Sequence, residues 1–460
     1  DDAGSVCTFA VGDVPVLGTG SVTFAVTVVD PLPPDVYSIT NTANITNDGS
    51  NGAELDSSDN SDTAITLVAY DFGDAPDGIG VPPNTYPTLR ENDGARHLLV
   101  AGPRLGAVAD FEANGQPDAA ATGDDLAGVA DDDDGVALPA ALVARLGATA
   151  TVTASLAGNL DAWIDFNRDG DWNDAGEQIA ASLPLPAGVN SVSFAVPETA
   201  VAGTSFARFR ISTAGGLSPT GQAADGEVED YSVEIVVSAD STATLIDDPL
   251  NSGQSVLLVL GSVVSDKLTI KATSRGSLID VKLGSRSLGS FNAGLIGRIV
   301  AFGLAGNDSI TVSTNVVVDA QLHGDDGNDS IRGGGGNTVV IGGAHNDVLR
   351  GGRNRNLLIG GDGLDRLTGA NDMLIGGTTA YDSQDQALAA ILAEWTSGTS
   401  YNERVARIRA GTGVPKLDST TVFDDLLANQ LSGGRGLDWF FKGDSDRVSG
   451  LSPDESQDAI

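Results

Sequence analysis

The stretch "GDDGNDSIRGG", Gly324 to Gly334, sets four glycines around three aspartates. It opens a pattern whose rows begin at Gly324, Gly333, Gly342, Gly351, Gly360 and Gly369, nine residues apart. The eighth place of successive rows is apolar: Ile331, Val340, Leu349, Leu358 and Leu367. The sixth place reads Asp329, Thr338, Asp347, Asn356 and Asp365, so a carboxylate returns in alternate rows. Glycine permits tight turns, a short apolar strand buries one residue per row, and carboxylates with turn carbonyls form an oxygen-rich edge suited to calcium. A glycine-rich linker would not hold an apolar residue in fixed phase.

This period matches the nonapeptide G-G-x-G-x-D-x-U-x and resembles the RTX, or haemolysin-type calcium-binding, repeat. The resemblance implies a parallel β-roll in which two rows make one coil, so rows eighteen residues apart stack on one edge. Asp329, Asp347 and Asp365 are then expected in one column, with calcium mainly along that edge. The opposite edge carries Thr338 and Asn356, and His345 and Asn354 replace fourth-place glycines. The row after Gly369 is two residues short, which brings Asp372 into ligand phase. Upstream, "GLAGNDSITV" repeats the theme with Asp308, and the strand-like runs between Gln254 and Leu322 read as wider coils.

Composition frames the rest. The formal net charge is −38, with 37 Asp and Glu against 7 Arg in residues 1–240 and 26 acids against 18 bases afterwards. Such self-repulsion disfavours nucleic acid as a partner and is relieved by bound cations. Apolar content of 41% argues against disorder. Cys7 is the single cysteine, so neither an internal disulfide nor a thiolate zinc site can form. The absence of an initiator Met and of a basic-then-apolar leader points to a precursor signal outside this sequence. The longest apolar run, "SVLLVLGSVV", is about half a membrane span, so no membrane insertion is expected.

In the acidic half, "SVTFAVTVVDPLP", "YSITNTANITNDG" and "AITLVAY" read as short alternating strands of a β-sandwich. They resemble part of an immunoglobulin-like "conserved repeat" module of bacterial surface proteins. No lysine precedes Lys267, which excludes a Lys–Asn isopeptide within these modules. From "DFGDAPD" (Asp71–Asp77) through "DDDDGV" (Asp131–Val136) to "DGEVEDYSVEI" (Asp225–Ile235), the chain resembles the GEVED domain of large secreted bacterial proteins. Within it, "DFNRDGDWNDAGE" places Asp165, Asn167, Asp169, Gly170, Asp171 and Asn173 at loop places 1, 3, 5, 6, 7 and 9 of an EF-hand-like calcium site. The closing Glu177 falls one place late and strands flank the loop, so it reads as a calcium loop on a β scaffold. For Asp71, Asp74, Asp131 to Asp134, Glu227 and Glu229, solvated charge and metal ligand both stay open.

After the repeats, "DSQDQALAAILAEW" puts Leu388, Ile391, Leu392 and Trp395 on one helical face, with Asp382 as a cap. "SYNERVARI" carries a Ser400–Glu403 capping box and ends near Gly411. This helical pair is expected to close the end of the roll, and Trp439, Phe440 and Phe441 to be core. "IGGTTAYD", "LAEWTS" and "GLDWFF" resemble C-terminal ends of very large planctomycete-type surface proteins.

The expected fold class is mainly β: a partial immunoglobulin-like sandwich (1–69), a GEVED-type β domain (70–237), irregular coils (238–323), the nonapeptide β-roll (324–377) and a helical cap with a C-terminal segment (378–460). No nucleophile–base pair, histidine cluster or phosphate loop stands out, so no enzyme is expected. The expected function is a calcium-stabilised structural or adhesive module of a secreted cell-surface or matrix protein. Calcium is the cofactor, and neighbouring copies or surface glycans are the candidate partners. A carbohydrate- or partner-binding module is the alternative, and a polysaccharide-acting β-helix the more distant one.

Overall fold

The computed structural model describes residues 8, 9, 21, 36–46, 58, 60–83, 85–109, 111–123, 133–248 and 253–460. The chain divides into two compact units, Asp1–Ala69 and Tyr70–Ile460. In the first, Ser38–Asn44 pairs antiparallel with Ser61–Leu67 in register from Ser38 opposite Leu67 to Asn44 opposite Ser61. Cys7 and residues 22–33 of the stretch expected as strand over 21–33 lie outside the described residues, as do Asp131 and Asp132.

The second unit begins with a sandwich. One sheet orders Gly188–Ala195, Gly147–Ala154 and Val136–Ala137. The other orders Leu142–Val143, Glu227–Val236, Gly203–Ser212, Gly158–Ile164 and Gln178–Leu185. Alternating residues of both sheets, among them Ala150, Val152, Leu160, Ala162, Phe209 and Ile211, close into one core. A smaller sheet of Tyr70–Phe72, Arg96–Leu98 and Gln222–Ala223 belongs to the long loops around it.

From Ala243 to Ala459 the chain winds two nine-stranded, mostly parallel sheets facing each other. Their facing sides bury Leu322, Val340, Leu358, Leu374 and Phe440 from the first sheet against Ile310, Ile331, Leu349, Leu367 and Leu431 from the second. Each is 0% exposed. Complete burial of such side chains contributes roughly 1.5–3 kcal/mol apiece, so this interior column is the main cohesive element of the roll.

The two sheets differ in what covers them, and the strands show why. Rows of the second sheet, Ser330–Arg332, Val348–Arg350, Arg366–Thr368 and Gln430–Ser432, flank one buried residue with largely polar neighbours and leave their outer face to water. Rows of the first sheet, "VVI", "LLI", "MLI" and "WFF" at residues 339–341, 357–359, 373–375 and 439–441, are apolar on both faces. Their outward residues Val339, Ile341, Leu357, Ile359, Met373, Ile375, Trp439 and Phe441 pack on the helical pair, Asp385–Thr396 and Tyr401–Ala410.

That arrangement corrects the expected end cap. The helices form an insertion that covers the side of the first sheet, and the coils resume after it: Leu367 pairs with Leu431, Leu374 with Phe440, and Leu431 with Val448. The sheets continue unbroken across the boundaries expected at 323/324 and 377/378. The first helix begins after Gln384, which makes no side-chain cap, while Asp382 instead accepts the Thr379 N–H at 3.0 Å. The Ser400–Glu403 capping box is present, and Gly411 ends the second helix in a left-handed conformation at φ 68°.

Upstream, the outer face of the first sheet meets the sandwich. Val256, Leu258, Val300, Phe302 and Leu304 pack on Val143 and Leu146. At the seam Arg298 reaches Asp248 at 3.1 Å, Gln321 at 3.0 Å and Asp385 at 3.4 Å. The Gly147 N–H donates to the same Asp385 carboxylate at 3.2 Å, joining sandwich, roll and helix through one buried ionic cluster.

Candidate metal centres

Along one edge of the roll, each aspartate holds the preceding coil by its backbone. Asp329 Oδ1 accepts the Asp308 N–H at 2.6 Å, Asp347 Oδ1 that of Asp329 at 2.7 Å, and Asp365 Oδ1 that of Asp347 at 2.8 Å. Asp308 Oδ1 in turn accepts from Asp266 N at 2.6 Å, and the ladder ends with Asn429 Oδ1 on Asp365 N at 2.7 Å and Asp446 Oδ1 on Asn429 N at 2.8 Å. Seven residues thus form one column. Asp266, Asn429 and Asp446 escaped the sequence reading because the steps that reach them are 42, 64 and 17 residues long rather than 18. The signal was present in "DSIRG", "DRLTG", "NQLSG" and "DRVSG", beginning at Asp329, Asp365, Asn429 and Asp446.

The second carboxylate oxygens decide what the column can do. Oδ2 of Asp308, Asp329, Asp347 and Asp365 is buried with no hydrogen-bond partner. Each faces the bare Cα of a glycine. A Cβ on Gly324 would lie 2.3 Å from Asp329 Oδ2 and 2.4 Å from the Gly342 carbonyl oxygen. On Gly342 it would lie 2.3 Å from Asp347 Oδ2 and 2.3 Å from the Gly360 oxygen, and on Gly360 2.5 Å from Asp365 Oδ2 and 2.4 Å from the Gly376 oxygen. Gly303 repeats the arrangement with Asp308 Oδ2 at 2.5 Å and the Gly324 oxygen at 2.6 Å. An unpartnered buried carboxylate oxygen beside a carbonyl oxygen, in a cradle kept open by glycine, fits a hard cation that takes oxygen ligands at 2.3–2.6 Å.

Both ends of this series are closed. Asp266 Oδ2 accepts from Ser262 N at 2.6 Å and Asp446 Oδ2 from Gly443 N at 2.8 Å. Burial raises the four open carboxyls, with neighbouring carboxylates adding to it: Asp308 to about 6, Asp329 to about 7, Asp347 to about 8 and Asp365 to about 7. Anions in this setting repel one another until a proton or a cation neutralises them.

The opposite edge leaves no carboxylate oxygen open, and its one unpartnered buried atom among the described residues is the Thr338 hydroxyl. Asn356 Oδ1 accepts from Thr338 N at 3.1 Å, Asp372 Oδ1 from Asn356 N at 2.7 Å, and Asp438 Oδ1 from Asp372 N at 2.7 Å. Asp372 is the residue the shortened row brings into phase, yet its Oδ2 accepts from Ala370 N at 2.9 Å and its Oδ1 also takes the Asn356 amide at 2.9 Å. A Cβ on Gly351 would press on Asp372 Oδ2, as in the four cradles, but its second neighbour is the Asn356 amide nitrogen at 2.9 Å, a donor where the other edge offers a carbonyl. Asp372 therefore does not share the setting of the four, although burial lifts its carboxyl to about 8.

The Asp165 loop is organised by its own side chains. Asn167 Oδ1 accepts from Asp169 N at 2.8 Å, Asp169 Oδ1 from Asp171 N at 3.3 Å, and Asp171 Oδ1 from Asn173 N at 2.8 Å, so alternate residues turn their oxygens to one side. Asp165 is fixed by Tyr86 Oη at 2.6 Å and Gly170 N at 3.0 Å, and Glu177 reaches back to Phe166 N at 3.1 Å. Burial and then the Asp165 charge push Glu177 up to about 7. The donor set is all oxygen and carries excess negative charge, which fits calcium. Among the described residues no three His, Cys, Asp or Glu side chains converge as a metal cluster, so any centre here or in the roll draws on amide and carbonyl oxygens as well.

Among the described residues, the acids left open divide: Asp71, Asp74, Glu227 and Glu229 are buried, Asp133 is half-buried and Asp134 is exposed. Asp71 accepts from Val228 N at 2.8 Å, Asp74 from Gly123 N at 2.6 Å, Glu229 from Gly135 N at 2.8 Å, and Glu227 from Leu105 N. Asp133 accepts from Asp230 N at 3.3 Å and Asp134 from Ala107 N at 2.8 Å. Asp230 accepts from Ala75 N at 2.9 Å and pairs with the fully buried Arg208 at 2.7 Å. The "GEVED" acids latch the long loops onto the sandwich, the role buried polar groups take when the backbone beside them has no strand partner.

Residues 321–344 and 341–372 match the RTX calcium-binding nonapeptide repeat. Residues 159–234 match the GEVED domain. Together these matches cover well under half of the chain, and the Gly303–Asp308 cradle lies outside both. No curated protein and no solved structure matches the chain. The RTX repeats are calcium-binding units, and the aspartate and glycine of three of the four open cradles fall within them. Among the described residues no helix is long and apolar enough to cross a membrane.

Proposed function

We propose that the chain is a non-enzymatic, calcium-stabilised structural and adhesive module of a secreted or cell-surface protein, binding four calcium ions along the Asp308–Asp365 edge and one in the Asp165 loop. The observation that carries this reading is the set of four buried, unpartnered carboxylate oxygens, each beside a glycine cradle and a carbonyl from the next coil. Calcium supplies the positive charge that lets these carboxylates ionise inside the roll and ties coil to coil. Asp308, Asp329, Asp347 and Asp365 provide the charged ligands, and the carbonyls of Gly324, Gly342, Gly360 and Gly376 the neutral ones. In the loop, Asp165, Asn167, Asp169, Asp171, Asn173 and Glu177 supply oxygen.

A site that binds only the folded state contributes RT ln(1 + [L]/Kd), or roughly 2.7 kcal/mol at a hundredfold excess over Kd. Several such sites suffice to decide whether the roll folds. Extracellular calcium sites work with Kd of about 10⁻⁴ to 10⁻³ M, filled outside the cell and empty in cytosol, which supports the secreted context. Counting bound ions by native mass spectrometry, with thermal melting of the full chain in calcium and in chelator, tests the reading. Five ions and a melting temperature lowered by chelator are expected. An unchanged melting temperature after complete calcium removal overturns it.

A further inference from the structure

The outward face of the second sheet stands apart by its charge. Two columns of side chains run across its strands. One carries Lys267, Arg366 and Arg447, the other Lys282, Arg332 and Arg350, and every other position in either column is Ser, Thr or Gln except Val348. All six cations are exposed, and among the described residues none of them forms an ion pair. Neither column contains a carboxylate, in a chain with 63 Asp and Glu against 25 Lys and Arg. Solubility needs no such segregation, because the net charge of −38 already supplies it.

We infer that this face binds a linear anionic polysaccharide. Strand rows about 4.8 Å apart spread the six cations along the sheet beneath an extended polymer, with Arg332, Arg350 and Arg366 in three successive rows. Arginine matches carboxylate and sulfate in a bidentate fork, and the serine and threonine hydroxyls between the cations suit sugar hydroxyls. A protein partner would want an apolar or aromatic centre to bury, and Val348 alone offers that within the columns. A single-stranded nucleic acid would want aromatic platforms for its bases, and the columns have none.

Resting on the calcium reading, the face is also coupled to the metal edge. Asp308, Asp329, Asp347 and Asp365 immediately precede Ser309, Ser330, Val348 and Arg366 of the first column. Cations bound at those aspartates remove the negative field beside the strip, so affinity for the polymer rises with calcium occupancy.

The test is calorimetric titration of the full chain, in saturating calcium, with size-defined heparin fragments, hyaluronan (carboxylate only), dextran sulfate (sulfate only) and neutral dextran. Heparin is expected to bind, neutral dextran not, and the two single-chemistry polymers separate carboxylate from sulfate recognition. Arg332→Glu/Arg350→Glu should weaken heparin binding at least about tenfold, Arg332→Gln/Arg350→Gln less, and Arg407→Glu on the second helix not at all. Melting and calcium count should be the same in all variants. Unchanged heparin affinity in both double variants overturns the proposal, as does equal binding of neutral dextran. Sedimentation showing a calcium-dependent dimer that only the double variants lose would assign the face to a second copy and overturn it too. Because calcium is counted separately, a chain that holds its ions and ignores every glycan refutes this inference alone.

Discussion

Asp347 Oδ1 accepts the backbone N–H of Asp329 at 2.7 Å, while Oδ2 of the same carboxylate is buried with no partner at all. One oxygen builds the roll and the other waits for a cation. The two jobs separate under substitution. Asp347→Asn keeps an acceptor for Asp329 and removes a buried charge, so in chelator it should leave melting unchanged or raise it. In calcium it should lower melting relative to wild type and reduce the ion count. Parallel melts in the two conditions check this crossing of signs.

Gly342→Ala places a methyl 2.3 Å from both Asp347 Oδ2 and the Gly360 oxygen. Backbone there cannot yield cheaply, so the variant should lose about 1–3 kcal/mol with or without calcium, and its cradle should no longer fill. Gly398→Ala meets nothing within 4 Å and serves as the neutral control. Denaturant melts of both variants give the comparison.

Acidity should act in opposite directions with and without metal. Asp308, Asp329, Asp347 and Asp365 have folded values raised to about 6–8, so the folded roll binds protons more tightly than the unfolded chain. In chelator their penalty is absent below the unfolded carboxyl value of about 4, grows as pH rises, and is complete above about 8. Stability of the metal-free chain should therefore fall between pH 4 and 8. Calcium must displace those protons, so its affinity should rise over about pH 6 to 8. Melting temperature against pH, with and without calcium, reads both slopes.

Trp395 is fully buried against Trp439, at 6.1 Å between ring centroids, and its Nε1 donates to Asn371 O at 3.0 Å. Trp395→Ala should cost about 3–5 kcal/mol by loss of core contacts. Its calcium count at low temperature should equal that of wild type, because the helices cover the side of the sheet opposite no open cradle. A lost ion in the folded variant would contradict the separation of the two features.

The sequence displayed the roll where period and chemistry coincide. Ile331, Leu349 and Leu367 recur every eighteen residues, and with two rows to a coil, as the resemblance implies, that spacing sends them to one interior column. The row strings also carry a difference between the sheets that the sequence reading did not use: "VVI" and "LLI" are apolar on both faces and "SIR" is not. What stayed hidden was whatever left the period. Asp446 belongs to the column by hydrogen bonding, but a helical pair stands between it and the repeats. Apolar helices following a repeat read equally well as an end cap or as a side cover, and only the resumption of pairing at Leu431 tells them apart. In the sandwich, Glu227 and Glu229 carry no periodic signal, because each holds a backbone N–H more than 90 residues away.

The insertion of the two helices sets an order on how the roll can be assembled. A chain emerging from its N-terminal side can lay each coil on the last once eighteen further residues are available, as Asp347 follows Asp329. The Asn429 row cannot join until 64 residues have emerged, which adds about 1 kcal/mol of loop-closure entropy over an ordinary coil. The pause line therefore falls after Ile375: from Asp308 to there each row can zip onto an earlier one, and the last coils arrive only after the helical insertion has returned the strand to its place.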